Sequence, residues 1–334
     1  MGRRLLLLII TFIISYSGYA QNSVLQNGQW HKMPIAKNGI YKLTYSFLEN
    51  AGFPVSDLDP RKFKIYGNSG GMLEQPNSEP RPYGLLENAI SVVGENDGSF
   101  DPQDFILFYA AGPHDHSYAD NSLVYEYNIY SNFNYYFITY ADENGLRIQD
   151  IDNQGTSFPT ISTFNDFEHY EVEQTNLLIS GREWYGERFD INTQQSFNFT
   201  FEGISPDTEV KVTADVMTQS FQESSFDVSV NGITVGSQSL PSVRDFLNPI
   251  VNNPYRYSIK GRSGHKEYSI NANQIGSANA LEIGLAYNQG GTRRSIGYLN
   301  YLEVQVERKL ALYNDQTIFR ALSSLENSNS TYLI

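Results

Sequence analysis

Apolar and polar residues alternate with a period of two along most of the chain, and stretches with the 3.6-residue period of a helix are scarce. The alternation is cleanest in the second half, in SFNFTFEGI (196–204), EVKVTADVM (209–217), SSFDVSV (224–230), GITVGSQ (232–238), KEYSINA (266–272), ALEIGLAYN (280–288) and YLNYLEVQVERKL (298–310). Turn signals such as Asn231-Gly232 and Gly290-Gly291 separate these runs, and so many short strands at this spacing predict a two-sheet sandwich of jelly-roll or lectin-like type. In the first half, RKFKIYGN (61–68), AISVVGE (89–95) and NYYFITYAD (134–142) read as strands, and DFILFYAAG (104–112) as a short, nearly continuous buried one. WHKMPIAKNGIYKLTY (30–45) reads as a hairpin around Lys37-Asn38-Gly39, since Asn-Gly readily takes the positive φ values of a type I′ turn. One short helix is expected from Tyr45, with Ser46 as its N-cap, closed by Gly52 and stopped by Pro54.

The expected fold class is all-β: a β-rich domain with one short helix over residues 24–160, then a β-sandwich over residues 165–312. A length of 334 residues suits two cores, because single cores usually stop growing before about 250–300 residues. Beyond Glu307-Arg308-Lys309 the chain runs on to an apolar TYLI, so residues 313–334 read as the cut-off start of a linker or strand leading to a further domain. At the other end, Arg3 and Arg4 precede an apolar run from Leu5 to Ile14 and a small-residue site with Gly18 and Ala20. That pattern predicts a secretory signal peptide over residues 1–20, cleaved after Ala20; ten apolar residues are too few to span a bilayer, and no later segment is a spanning candidate.

The formal charge is −14, and losing the leader removes two more positive charges, so nucleic acid is an unfavoured partner. The chain has no cysteine, which removes disulfides, thiol nucleophiles and cysteine zinc sites from these residues.

Candidate chemistry is sparse. YGNSGG (66–71) resembles a phosphate loop only in its glycines: Met72-Leu73 follow Gly71 where a lysine and a hydroxyl are needed, and prolines 76, 80 and 82 forbid a helix. Gly67, Gly70 and Gly71 are therefore expected to serve a turn. In GENDGSFDPQD (94–104), Asp97, Asp101 and Asp104 match positions 5, 9 and 12 of a calcium loop, with Gly98 at 6, but Val93 stands where the first ligand belongs. An Asx turn before a strand is thus the expectation, with no cofactor, and calcium is the alternative. His114 and His116 would share a face if extended, yet no third ligand stands at ligand spacing, and a solvated loop after Gly112-Pro113 is the expectation. GREWYGERF (181–189) offers Glu183 and Glu187 beside an aromatic, as a glycosidase pair would; the competing expectation is an interdomain strand with Arg182 and its neighbours in paired charges and a packed Trp184. Neither a Gly-x-Ser-x-Gly elbow nor an identifiable Ser/His/Asp triad is present, so no catalytic residue is assigned.

The series IYGNSGGML (65–73), EPRPYGLLENAISVVGENDGSFDPQDFILFYAAGP (79–113), YNIYSNFNYYFITY (127–140), ISGREWYGERF (179–189) and GYLNYLEVQVERKL (297–310), in this order, resembles the N-terminal region of the PorU-like sortases of the type IX secretion system, a gingipain-like cysteine peptidase family. The resemblance covers nearly the whole chain after the leader. It implies β-rich, non-catalytic domains ahead of a peptidase domain with a Cys/His dyad, in a cell-surface protein associated with the outer membrane. In the family that peptidase removes the C-terminal signal domain of secreted cargo and attaches the cargo to anionic lipopolysaccharide, through an acyl-enzyme on its cysteine. The implied partners are the peptidase domain in cis, outer-membrane sortase-complex proteins and cargo C-terminal signal domains. Competing expectations are a free-standing exported module that binds glycan or protein, a hydrolase in its own right, and cargo of the same secretion system.

Overall fold

A computed structural model describes residues 23–119, 122–150, 158–177, 183–243, 261–276, 279–291, 295–327 and 329–334. The expected leader over 1–20 and Arg182 lie outside these residues. The fold is all-β and divides into two compact units: one takes residues up to Asp115 and from Glu126 to 150, and the other takes residues 116–125 and everything described from 158 onward.

The first unit contains two sheets. One is ordered β1 (Trp30–Ile35), β9 (Asn134–Tyr140), β3 (Phe63–Tyr66), β4 (Glu87–Asn88); the other is β2 (Gly39–Thr44), β6 (Phe105–Ala110), β5 (Ser91–Val93), all paired antiparallel. Strands β7 (Asp115–Ala119) and β8 (Ser122–Glu126), whose residues 116–125 belong to the second unit, pair with each other. Leu48, Phe63, Ile65, Ile90, Ile106 and Ile138 are fully buried at the centre of the core, and the Phe63 ring meets Phe53, Phe100 and Tyr140 edge-on at 5.6 Å.

Three local expectations need correction here. β1 and β2 do not form a hairpin: they belong to different sheets, and the Asn38 side chain accepts the Gly112 N–H at 2.6 Å instead of closing a two-residue turn. The apolar run in β6 is buried on one face alone, with Tyr109 49% exposed between Phe108 and Ala110. The helix α1 (Tyr45–Asn50) is capped by Thr44, whose extended backbone lets Oγ1 accept the Phe47 N–H at 3.2 Å; Ser46 lies inside the first turn. Gly52 closes it in the left-handed region at φ +94°.

The second unit is a sandwich. Its five-stranded sheet runs β11 (Thr163–Glu171), β19 (Ile296–Lys309), β14 (Glu209–Gln219), β17 (Arg262–Asn271), with β12 (Arg188–Phe189) also on β19. The facing sheet runs β13 (Gln194–Thr200), β18 (Ala280–Asn288), β15 (Ser224–Val230), β16 (Ile233–Leu240). The turn between β15 and β16 has positive φ at both Asn231 and Gly232, the geometry that Asn-Gly predicts. Side chains from both sheets, among them Phe199, Val212, Phe226, Ile283 and Leu302, fill one core.

Residues 313–334 pack within this unit. Tyr313 and Phe319 each lie 6.4 Å from the Phe164 ring, the Asn165 N–H donates to the Arg320 carbonyl, and β20 (Thr331–Tyr332) pairs in parallel with β10 (Thr160–Ile161). The 9%-exposed Arg308 is held by Asp166 and the Glu202 carbonyl and lies 4.0 Å from the Tyr313 ring.

Candidate functional site

The glycine cluster is a packing device. A Cβ at Gly67 would meet the Tyr136 ring at 2.3 Å, and one at Gly70 would lie 2.1 Å from the Gly112 carbonyl oxygen. Gly71, at φ +91°, donates its N–H to the Pro113 carbonyl at 3.1 Å. The three glycines thus let residues 67–71 lie directly against residues 111–113 and the Tyr136 ring.

The acidic loop is a chain of local caps. Asp97 Oδ1 accepts the Ser99 N–H at 3.0 Å, which is an Asx turn, and Gly98 follows at φ +83°. Asp104 is buried, and its Oδ2 accepts the Asp101 N–H at 2.8 Å. A Cβ at Gly94 would meet Asp104 Oδ1 at 1.9 Å, so glycine is required for that carboxylate to fit. Asp97, Asp101 and Asp104 do not converge: among the described residues no group of three or more His, Cys, Asp or Glu side chains is placed to hold a metal ion. His114 lies in the bend that precedes β7, as the loop expectation has it, and His116 lies within β7. The His114 ring stacks on Tyr127 at 4.6 Å and its Nδ1 accepts the Asn128 N–H; His116 lies 4.6 Å from Phe167.

In the 183–189 segment the packed rings are Tyr185 and Phe189, and Trp184 is 39% exposed. Tyr185 bridges to Thr175 through backbone hydrogen bonds that fix its ring inward, which leaves its neighbour facing out. Glu187 accepts the Tyr170 hydroxyl, and burial together with that carboxylate pushes the phenol up to about 12. Glu187 thus engages the Tyr170 hydroxyl, while burial and then the Glu183 carboxylate raise the Tyr185 phenol.

The densest titratable cluster lies on the outer face of the five-stranded sheet. Cross-strand register places His169 opposite Glu303, Glu171 opposite Tyr301, and Asp215 opposite both Tyr301 and His265. The pairing of β14 with β19 shifts between Asp215 and Val216, which leaves Asn300 as the extra residue of a bulge. Asn300 Nδ2 therefore reaches Asp215 Oδ1 at 3.2 Å, and Tyr301 faces outward beside it. His169 Nε2 lies 3.0 Å from Glu171 Oε2, and its Nδ1 lies 3.1 Å from Glu303 Oε1, with the imidazole side chain 8% exposed. Burial opposes the charge on this imidazole, but the two carboxylates outweigh burial and hold its pKa above the ordinary 6.5.

His265 Nδ1 is 3.4 Å from Asp215 Oδ2 and 3.2 Å from the Tyr301 hydroxyl. Burial raises the Asp215 carboxyl, against the Asn300 hydrogen bond and the nearby imidazole. Glu173, whose side chain is exposed, is raised to about 7 by partial desolvation and by the Glu171 and Glu183 carboxylates. The arrangement can store and exchange protons. The chain has no cysteine, so no thiolate stands among these groups. No motif in the sequence marks His169. The readable signal was the pair Asn300-Tyr301, which breaks the alternation of YLNYLEVQV and marks the bulge.

At the other end of the same face is a cleft of about 780 Å³, whose charged lining among the described residues is Asp207, Glu209, Glu307 and Glu326 against Lys211. Among the described residues no helix is long and apolar enough to cross a membrane.

No protein-family model matches the chain, and no curated protein sequence matches it. Among solved structures it is similar to dimeric latent PorU from Porphyromonas gingivalis, at 23% identity and a TM-score of 0.69 over 90% of this chain. The CBM36-1 domain of a multidomain xylanase from the hindgut metagenome of Trinervitermes trinervoides aligns over 42% of this chain and 96% of its own, at 13% identity and a TM-score of 0.25. The N-glycanase PNGase F aligns over 88% of this chain and 92% of its own, at 8% identity and a TM-score of 0.26. The last two scores are too low to bear on fold or function. The chain spans 26% of the length of the PorU chain, and across that span it has the fold of PorU.

Proposed function

We infer that this chain is the N-terminal, non-catalytic part of a PorU-like sortase of the type IX secretion system. The observation that carries the reading is the fold likeness to PorU at a TM-score of 0.69 over 90% of the chain, together with the ordered motif series from IYGNSGGML to GYLNYLEVQVERKL. On this reading the peptidase domain lies in cis, and supplies the cysteine and histidine that cut the C-terminal signal domain from cargo and pass the cargo to anionic lipopolysaccharide. The 334 residues hold no cysteine, and they contribute surfaces that position the peptidase, its outer-membrane partners or the cargo signal domain. The carboxylate-rich cleft near Glu209 and Glu307 favours a role away from the lipopolysaccharide, whose negative charge it repels. The leader pattern and the family's place at the cell surface make the protein an exported, outer-membrane-associated one.

Reading the coding frame beyond codon 334 tests the proposal. A frame that continues into a gingipain-like domain with its Cys and His motifs is expected, and a frame without them overturns the reading.

A further inference from the structure

The buried imidazole of His169 presents a question that its two neighbours answer. A neutral imidazole has one N–H and one lone pair, so it can satisfy one carboxylate and must turn a lone pair toward the other. Here both nitrogens face carboxylate oxygens, Nε2 to Glu171 at 3.0 Å and Nδ1 to Glu303 at 3.1 Å, an arrangement that only the doubly protonated ring completes. Loss of that proton leaves a partly buried carboxylate without its donor, and a lone pair against a negative oxygen.

The same ring supports residues 116–125, which lie on this sheet face. The Tyr125 ring sits 4.4 Å from His169 and 5.6 Å from Phe167, and the His116 ring sits 4.6 Å from Phe167. Lys211 Nζ donates to Ser122 Oγ and Gln305 Nε2 donates to the Leu123 carbonyl, each at 2.9 Å. Leu123 is 6% exposed in consequence. The contacts fall into two kinds: hydrogen bonds to Ser122 and Leu123 from Lys211 and Gln305, which do not involve the imidazole, and a ring contact at Tyr125 that rests on it. An imidazolium attracts a phenol ring through its π-face in a way that neutral imidazole does not.

We propose that protonated His169 is the pin that holds the β7–β8 arm against the outer face of the sheet, so that the arm stays seated while the imidazole carries its proton and loosens when the proton leaves. The groups that face the pin are Glu171 on its own strand, Tyr301 and Glu303 on β19, and Tyr125 on the arm. The next row adds Asp215 on β14 and His265 on β17. The nearest partners are acidic, which favours the proton and places the loss of the pin above the range of an ordinary histidine. This inference stands independently of the sortase assignment, since it uses contacts of the second unit alone.

The absence of cysteine makes a clean experiment available. In the full chain carrying Leu123→Cys, the rate of alkylation by a thiol reagent, divided by that of a free thiol at the same pH, reports how often the arm lifts. Protection is expected to fall by about tenfold or more as the pH rises through the His169 titration, the worth of one charge-assisted hydrogen bond. Adding His169→Gln is expected to give low protection that no longer varies with pH. Adding Glu303→Gln is expected to move the midpoint to lower pH, which a merely structural loss would not do. Protection that does not vary with pH in the Leu123→Cys chain with His169 intact, or an unmoved midpoint in the Glu303→Gln chain, overturns the proposal. The parent chain supplies a second readout: the His169 ring proton, assigned by its disappearance in His169→Gln, should titrate above 6.5 by NMR, and titration at or below 6.5 also overturns it.

Discussion

On β19, Leu302, Val304 and Val306 point into the sandwich core, while Tyr301, Glu303 and Gln305 point out from the same backbone. The inner set meets whatever apolar side chain the facing sheet presents, and one aliphatic residue serves nearly as well as another of like volume. The outer set meets named partners: Glu303 meets His169, Tyr301 meets His265, and Gln305 meets the Leu123 carbonyl. Alternation in the sequence shows which residues belong to which set, and so it predicts the inner face in full. It is silent about the outer one, because a polar residue on a strand looks the same whether it faces water or a partner brought 134 positions closer by the fold.

The largest expected effect tests this asymmetry directly. Leu302→Ala removes a side chain that is fully buried in the core and should cost about 2–5 kcal/mol in urea unfolding. Glu267→Ala, on the outer face with a side chain 44% exposed beside Lys211, should stay within about 0.5 kcal/mol. Equal losses from the two would mean that the faces are not energetically distinct.

The first unit offers a similar contrast between two glycines. The loop YGNSGG was legible as a turn, yet the reason for Gly70 was not, since it depends on a carbonyl 42 residues away that only the fold brings to 2.1 Å from the missing Cβ. Gly70→Ala must displace backbone and should cost about 1–3 kcal/mol. Gly84→Ala, with nothing within 4 Å of its Cβ, should be neutral or slightly stabilising, measured by the same unfolding midpoints.

The outer face should also reveal itself through pH. His169 has its folded pKa raised above 6.5, so folding takes up a proton in the interval between 6.5 and the folded value. The stabilisation is fully present below 6.5 and is lost as the pH rises through the folded pKa. Unfolding free energies of the parent chain in urea should therefore drop across that window by about 1.5–3 kcal/mol, the loss of a hydrogen bond to a charged group. In His169→Gln this part of the slope should vanish. Asp215 contributes with the same sign: its raised carboxyl pKa means the folded state holds the extra proton, so stability falls as the pH rises from 3.8 through the folded value. An unchanged slope in His169→Gln would assign the pH dependence to Asp215 and its neighbours instead.

Much of the architecture was readable because sandwiches are specified by period-two alternation and by turn residues such as Asn231-Gly232, both of which are local. What was unreadable depended on pairing. Asn38-Gly39 has the chemistry of a hairpin turn, but β2 finds its partner in β6 and β1 finds its own in β9, so the same dipeptide serves a passage between sheets. The titratable cluster needed four strands in register and a bulge at Asn300 before its members met.

The helix cap is the smallest case, and it separates composition from conformation. Thr44 and Ser46 are both good capping residue types, and the expectation from sequence fell on Ser46. The backbone decides: Thr44 ends β2 at φ −86° and ψ 164°, the extended geometry that aims its hydroxyl at the Phe47 N–H, whereas Ser46 is already helical. Ser46 Oγ lies 3.1 Å from Thr44 Oγ1 and so can only assist the cap. Thr44→Ala should therefore cost about 1 kcal/mol, and Ser46→Ala a few tenths at most, in the same urea measurement. The reverse order would place the cap at Ser46 and begin the helix two residues later, and it would break the claim that strand β2 sets the first turn of the helix.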